Sequence, residues 1–361
     1  MKKIIKKGMA ILLAGTMILG TTGTTIKNVS ANEESSIVTF QIVPPEQIKY
    51  KKPEGVKSIS KPTGVKVYRS TEAALISWQK VEGADYYKIY RKEGKSNWLY
   101  LGNTYEKDFY ASTYVDNVRE FVDIRYKSSK KKSSDSYKKK AYNYKKKYTY
   151  KIIAVNGNVK STGATCTSKK WKTKKSELSY YTLYLVNKKR KEKGKPFYIW
   201  GHSYEKGSLI RAKELITQTK KAGNKWHQRP NGKNWANAFV YMNSQYMVKD
   251  PATGKTGTPG LYAEDVGYSN GDTKDIFKAY CRSKGHYGPL MLNYDDVNNS
   301  TKDGPAEDIK LISNGVEIVL PKEYAIRESS SLTAATYSKN ILKNTVYHEL
   351  VIGDEPYIIK K

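Results

Sequence analysis

The sequence is short of cysteine, histidine and acid. Its 361 residues include two cysteines, four histidines and 34 acidic residues against 65 basic ones. Two cysteines exclude a disulfide-dense secreted scaffold and any four-cysteine zinc module. No apolar run approaches the roughly 20 residues that a membrane-spanning helix needs. The shortage of acid leaves a formal net charge of +31, which predicts attraction to polyanions and says nothing about fold. What is present argues for packed domains. Hydrophobic residues make up 38%, and 31 tyrosines and six tryptophans are more than a disordered chain of this charge would carry. The length suggests about two domains.

The charge is uneven. Residues 1–176 hold 37 basic and 14 acidic side chains, and residues 177–361 hold 28 and 20. At the start, Lys2, Lys3, Lys6 and Lys7 precede the short apolar stretch from Ala10 to Gly20, and Val29-Ser30-Ala31 offers small residues for cleavage. That pattern predicts a signal peptide over residues 1–31 and a secreted, extracellular protein with no transmembrane segment. The last residues carry no sorting tail, so the expected wall association is non-covalent. A polar, Pro- and Lys-containing linker is expected over 32–61.

After Pro62 the period becomes two. Ala74, Ile76 and Trp78 alternate with other residues, as do Tyr87 and Ile89, and then Tyr148, Tyr150, Ile152 and Ala154, with Gly83, Gly94 and Gly157 between the runs. Half-buried antiparallel strands follow from this spacing. Leu75-Ile76-Ser77-Trp78, Gly83-Ala84-Asp85-Tyr86-Tyr87-Lys88-Ile89-Tyr90-Arg91 and Tyr148-Thr149-Tyr150-Lys151-Ile152-Ile153-Ala154-Val155 resemble a bacterial fibronectin type III module over residues 62–170. The resemblance implies a β-sandwich with Trp78 in its core and Tyr148 closing a corner.

Within that span, residues 117–147 read as a basic insertion. Residues 124–147 contain 11 basic side chains and one acid. The clusters are Lys130, Lys131 and Lys132; Lys138, Lys139 and Lys140; and Lys145, Lys146 and Lys147, with tyrosines interleaved. Clusters at this spacing form a cationic surface suited to anionic cell-wall polymer or host glycan.

The second half changes period. Ser176 is read as the cap of a helix carrying Leu178, Tyr181, Leu185 and Val186 and ending at Gly194, after a linker over 171–177. Ser203 is read as the cap of another helix carrying Leu209, Ala212, Leu215 and Ile216, and Asp272 as the cap of a third. Strands are expected over 316–320 and 346–351, with residues 321–361 as a terminal strand extension. Helices on both sides of a small sheet make a three-layer sandwich.

Six motifs in order then resemble the CAP superfamily, also called SCP-like, in its disulfide-poor bacterial branch, over residues 178–320. They are Leu185-Val186-Asn187-Lys188-Lys189-Arg190, Lys195-Pro196-Phe197-Tyr198-Ile199-Trp200, Arg211-Ala212-Lys213-Glu214-Leu215, Trp226-His227-Gln228-Arg229-Pro230-Asn231-Gly232, Ala263-Glu264-Asp265-Val266-Gly267-Tyr268 and Ser283-Lys284-Gly285-His286-Tyr287. The implied fold class is α+β multidomain, with the β-sandwich followed by an α-β-α three-layer sandwich. The resemblance also implies a cleft where His227, His286 and Glu264 meet, as zinc ligands or with Glu264 as a catalytic base. The family's second glutamate has no match, because Arg282, Ser283 and Lys284 stand in its neighbourhood.

Two imidazoles and a carboxylate are a chemically sound zinc set, with Zn–N bonds of about 2.0–2.1 Å. His202 and His348 fall outside the motifs; His202 is expected to lead into a helix and His348 to face solvent on a strand. Cys166 and Cys281 fall in different expected domains, so a bridge between them requires those domains to dock. The expected function is a surface-associated binding protein, held on anionic polymer by its basic module and presenting the CAP-like cleft to a protein or lipid ligand. A metal-dependent hydrolase of peptide or wall polymer and a lipid or sterol carrier are the alternatives.

Overall fold

A computed structural model describes residues 12–14, 57–109, 118–125, 141–195, 197–218, 225–249, 256–257, 261–270, 272–291, 309–313, 316–320, 331–338, 345–353 and 358–360. Lys130, Lys131, Lys132, Lys138, Lys139 and Lys140 lie outside these residues. No helix among the described residues is long and apolar enough to cross a membrane.

Among the described residues eight strands build the first domain: β1 (Lys66–Arg69), β2 (Ala73–Gln79), β3 (Tyr86–Lys92), β4 (Leu99–Tyr105), β5 (Val118–Ile124), β6 (Thr149–Asn156), β7 (Val159–Lys160) and β8 (Ala164–Thr167). They form two antiparallel sheets, β1-β2-β5 and β4-β3-β6-β7, with β8 also paired to β6. This is a fibronectin type III-like sandwich. Its core is built by the inward residues of each alternation: Ala74, Ile76 and Trp78 from one sheet, Tyr87, Ile89, Tyr150 and Ile152 from the other. The Trp78 and Tyr87 rings meet edge to face, 5.1 Å apart, a favoured aromatic geometry.

The boundary of the basic insertion differs from the sequence reading. Residues 118–124 are strand β5, paired along β2 from Val118 opposite Gln79 to Ile124 opposite Ala73. Arg119, Glu120 and Asp123 are buried in that strand. Each has a partner that offsets its desolvation: Arg119 bonds Glu106 at 2.7 Å, Asp123 accepts from Arg91 at 2.5 Å, and Glu120 accepts the Trp200 amide at 2.9 Å. Downstream, Tyr142 and Tyr144 are core residues rather than members of a cationic surface. Arg69 fixes them, donating to the Tyr142 hydroxyl at 2.9 Å and the Tyr144 carbonyl at 3.2 Å. Tyr148 is buried as expected, with the Arg91 guanidinium 4.4 Å from its ring centre.

The second domain contains β9 (Ser176–Leu178), α1 (Tyr180–Glu192), β10 (Ile199–Trp200), α2 (Glu205–Gln218), β11 (Leu261–Ser269), α3 (Thr273–Tyr280), α4 (Lys284–Met291), β12 (Ser331–Tyr337) and β13 (Val346–Gly353). Its sheet runs β11-β13-β12-β9, with β10 parallel to β12 and Leu12–Ala14 paired to the outer edge of β11. The strand expected as a terminal extension is therefore central, held between β11 and β12. Ser176 lies in a strand, and Ser179 occupies the N-cap of α1. Gly194, at φ +65°, takes the left-handed conformation just past that helix that L residues disfavour. Asp272 caps α3 as expected, its carboxylate accepting the Asp275 amide at 3.2 Å. Short strands Tyr246–Lys249, Thr256–Gly257 and Ile358–Lys360 form a separate small sheet, and Ile309–Ser313 pairs with Val316–Leu320.

Helices cover both faces of the main sheet. Alternation sends Leu332, Ala334, Leu350 and Ile352 to one face, where they share a core with Tyr181, Leu183 and Val186 of α1 and Ile276 and Tyr280 of α3. The other face carries Val266, packed with Leu215 of α2 and with Trp226, and Val351, packed with Tyr204 and Phe239. Gly207 is obligatory there, since a Cβ would collide with the Phe239 ring.

The two domains share core. Ala73, Leu75 and Ile124 belong to the same buried cluster as Tyr180 and Trp200. Polar contacts also cross the seam: besides the Trp200 amide on Glu120, Glu177 accepts the Thr71 amide at 2.8 Å, the Asp108 carbonyl accepts the Phe197 amide at 2.7 Å, and Glu72 accepts from the Thr273 hydroxyl at 2.6 Å. Burial, aided by Asp272 and Glu177, pushes the Glu72 carboxyl up to about 7 against the opposing Thr273 bond.

Candidate functional site

Arg211, Glu214, His227 and Glu264 meet where α2 crosses the sheet. Arg211 sits on α2 with its side chain fully buried, and it gathers several acceptors. It donates to Glu264 at 2.7 Å, to Glu214 at 3.0 Å and to the Trp226 carbonyl at 2.8 Å. Burial pulls against its charge, but Glu264 and Glu214 outweigh that and hold the guanidinium above its ordinary value. Glu214 in turn grips Arg229, at 2.7 and 3.0 Å. The His227 segment is fastened a second time by Gln218, which donates to the carbonyls of Lys225 at 3.0 Å and Gln228 at 2.5 Å.

His227 and Glu264 are brought together as expected. The His227 Nδ1 lies 2.8 Å from Glu264 Oε2, and the Glu264 side chain has no solvent exposure. A carboxylate at Nδ1 favours the tautomer with the proton on that nitrogen, leaving Nε2 as the acceptor of the neutral ring. Both Glu264 oxygens are thus engaged, one by a guanidinium and one by an imidazole.

His286 is placed elsewhere. It stacks on Tyr280 at 5.0 Å and 14°, and its Nδ1 lies 2.7 Å from Ser283 Oγ. Tyr280 packs on the opposite face of the sheet, against Gly267 and His348. Glu264 and Gly267 are three residues apart on β11, so their outward directions are opposed. Among the described residues, no group of three or more His, Cys, Asp or Glu side chains is placed to hold a metal ion. The expected three-residue zinc set is not assembled.

Two further buried acids bear on this cluster, Asp265 from the same motif as Glu264 and Glu349 from outside the motifs. Glu349 of β13 stands opposite Val266 and therefore shares the face of Glu264. Neither of its carboxylate oxygens has a hydrogen bond of standard geometry, and burial, reinforced by Glu264, pushes its carboxyl well above the usual range. Asp265 points to the other face, and burial followed by the Glu264 charge raises its carboxyl likewise. His348 is a correction: it is buried, not solvent-facing. Its ring bridges the Thr182 hydroxyl at 2.8 Å and the Tyr280 hydroxyl at 3.0 Å, and burial lowers its pKa to about 3. His202 does lead into α2, with Glu205 2.8 Å away. Cys166 and Cys281 are both free, and burial raises both thiols. Of the expected polyanion residues, Lys145, Lys146 and Lys147 are exposed, and Lys146 pairs with Glu93 at 2.6 Å.

Comparison with known proteins bears on the first domain. No curated protein matches the sequence. A family model described as the C-terminal domain of GH85 endohexosaminidases matches residues 62–121. An Fn3-like protein from Clostridium thermocellum is 16% identical, with 31% of this chain and 94% of that one covered and a TM-score of 0.20. A β-1,2-glucanase from Parabacteroides distasonis is 12% identical, with 44% of this chain and 17% of that one covered and a TM-score of 0.23. A mutant of the protein FN3tt is 20% identical, with 31% of this chain and 96% of that one covered and a TM-score of 0.20. The solved structures similar to this chain include fibronectin type III-like domains, the fold its first domain adopts.

Proposed function

We propose that this is an exported, surface-associated binding protein whose basic sandwich attaches to anionic wall polymer and presents a CAP-like second domain to a partner. The observation that carries a binding reading over a hydrolytic one is the state of Glu264: fully enclosed, with one oxygen on Arg211 and the other beside His227. A general base must reach the proton it removes. This carboxylate instead braces α2 and the His227 segment against the sheet. The order of motifs and the helices on both sheet faces support the CAP-like reading of the second domain. The shared core supports rigid presentation, because attachment through the sandwich then fixes the orientation of the second domain.

Attachment is assigned to the lysine clusters, with Lys145, Lys146 and Lys147 at the exposed rim where the segment rejoins the sandwich. The test is retention on teichoic acid-bearing cell wall at ~0.15 M salt, where exposed charges more than about 8 Å apart are largely screened. Removing residues 124–147 outright would strip Tyr142 and Tyr144 from the core. The suitable variant therefore changes Lys130, Lys131, Lys132, Lys138, Lys139 and Lys140 to Gln. It is expected to wash off where the parent stays bound, and equal retention would refute the assignment.

A further inference from the structure

The outer face of the five-stranded sheet is unusually aromatic for a surface open to water. Along β3, Tyr87, Ile89 and Arg91 point inward, while Tyr86, Lys88, Tyr90 and Lys92 point outward. Opposite them on β4, Tyr105 faces Tyr86 and Tyr100 faces Tyr90, each ring pair 5.4 Å apart. On the other side Lys151 of β6 stands opposite Tyr90, its ammonium 4.9 Å from that ring and 4.3 Å from Trp98. Lys92 also reaches Trp98, at 4.8 Å. Tyr100 is 44% exposed. It donates to Asn103 at 2.6 Å, and Asn103 donates to the Tyr105 hydroxyl at 3.2 Å, so phenols and an amide form a polar row along β4.

Cross-strand aromatic pairs alone stabilise a sheet by roughly 0.2–1 kcal/mol each, and that accounts for two pairs. It does not account for lysines laid among them. Among the described residues no carboxylate forms a salt bridge with Lys88, Lys92 or Lys151. From Tyr86 to Tyr90 the strand advances roughly 13 Å, so the face offers alternating flat rings, hydroxyls and separated positive charges over several monomer lengths.

We infer that this face binds an anionic polysaccharide, its sugar rings laid on the tyrosine and tryptophan rings and its carboxylate or phosphate groups on Lys88, Lys92 and Lys151. Charge complementarity selects this occupant. The lysines are interrupted by tyrosines, which suits a polymer with one charge per sugar or fewer. Single-stranded nucleic acid is more densely charged and is held by a continuous basic groove. The polar row on β4 matches a ligand rich in hydroxyl groups. The proposal is carried by these described residues and not by the insertion's lysine clusters.

The test uses the full chain in calorimetric titrations against alginate (a uronate polysaccharide), dextran (neutral), polyphosphate (charged without rings) and oligothymidylate. Trp98→Ala and, separately, the exposed Tyr100→Ala are each expected to weaken alginate binding about tenfold, or about 1.4 kcal/mol. Polyphosphate binding is expected to change less than twofold in both, and dextran to bind far more weakly than alginate. The six-lysine variant is expected to lose polyphosphate while keeping most of its alginate affinity, which separates this face from the attachment clusters. Tyr100→Ala loses the Tyr90 ring pair and is expected to unfold in one transition only slightly below the parent's, so the test survives any misfolding of the Trp98 variant. No alginate binding, or unchanged affinity in the Tyr100 variant, would overturn the inference. So would oligothymidylate binding tighter than alginate with the same sensitivity. Alginate binding that emerges only after residues 127–139 are removed would identify the insertion itself as the occupant, and would also overturn it.

Discussion

Both domains bury charge, and they treat it in opposite ways. The sandwich closes its charges into saturated pairs: Arg119 with Glu106, and Arg91 with an Asp123 that also accepts the Tyr150 hydroxyl. The second domain buries a paired group, Arg211 with Glu264, beside acids such as Glu349 whose oxygens lack hydrogen bonds of standard geometry. A paired buried charge holds a shape across a wide range of pH, whereas a buried acid pushed far above its ordinary range ties stability to its proton. Rigidity therefore belongs to the interior of the sandwich, and pH sensitivity to the sheet of the second domain and to Glu72 at the seam.

The largest effect should come from breaking a saturated pair. Arg211→Met leaves Glu264 buried with His227 alone and is expected to cost about 3–5 kcal/mol, read from urea unfolding followed by tryptophan fluorescence. Arg91→Met in the sandwich should cost a similar amount, though the Tyr150 hydroxyl still serves Asp123. If the second substitution costs under about 1 kcal/mol, the two domains do not rely on buried pairs alike.

The next effect sharpens the contrast through pH. Glu349 and Asp265 hold carboxyls raised above their unfolded values, so the folded chain binds the extra protons. Their contribution is present below the ordinary carboxylate range and is lost as pH rises. Glu349→Gln should therefore flatten the fall in urea midpoint on the alkaline side; an unchanged slope would show that this acid is not what titrates. Glu72, at about 7, should give a smaller loss between about 4.5 and 7, removed in Glu72→Gln. His348 works in the other direction. Lowered to about 3 from 6.5, it withdraws stability as pH falls through that interval. The smallest effect belongs to the exposed Lys146–Glu93 pair, where Lys146→Ala should change stability by less than about 1 kcal/mol.

Much of the sandwich could be read from residues 87–89 and 148–154, where one side of each strand faces a core and the other is more open, and from 74–78, whose alternation separates a sandwich side from a side buried in the seam. Strand β5 could not. Its Arg119, Glu120 and Asp123 are buried by pairing, so the pattern of residues 118–124 looks polar where it is interior. The same failure explains His348 and Glu349. Strand β13 is covered by helices on both faces, so it has no solvent-facing side for an alternation rule to find. His227 and Glu264 were legible because a motif places them, while the position of His286 depends on Tyr280 stacking, which no local spacing reports. The seam between domains was also hidden, since no local spacing around Glu72 or Glu177 reports the Thr273 hydroxyl and the Thr71 amide that lie against them.

Attachment through the basic sandwich is tested most directly by retention of the full chain and the six-lysine variant on teichoic acid-bearing wall at ~0.15 M salt. The parent should stay bound and elute as salt is raised, while the variant should wash through. Equal retention of the two proteins would contradict it.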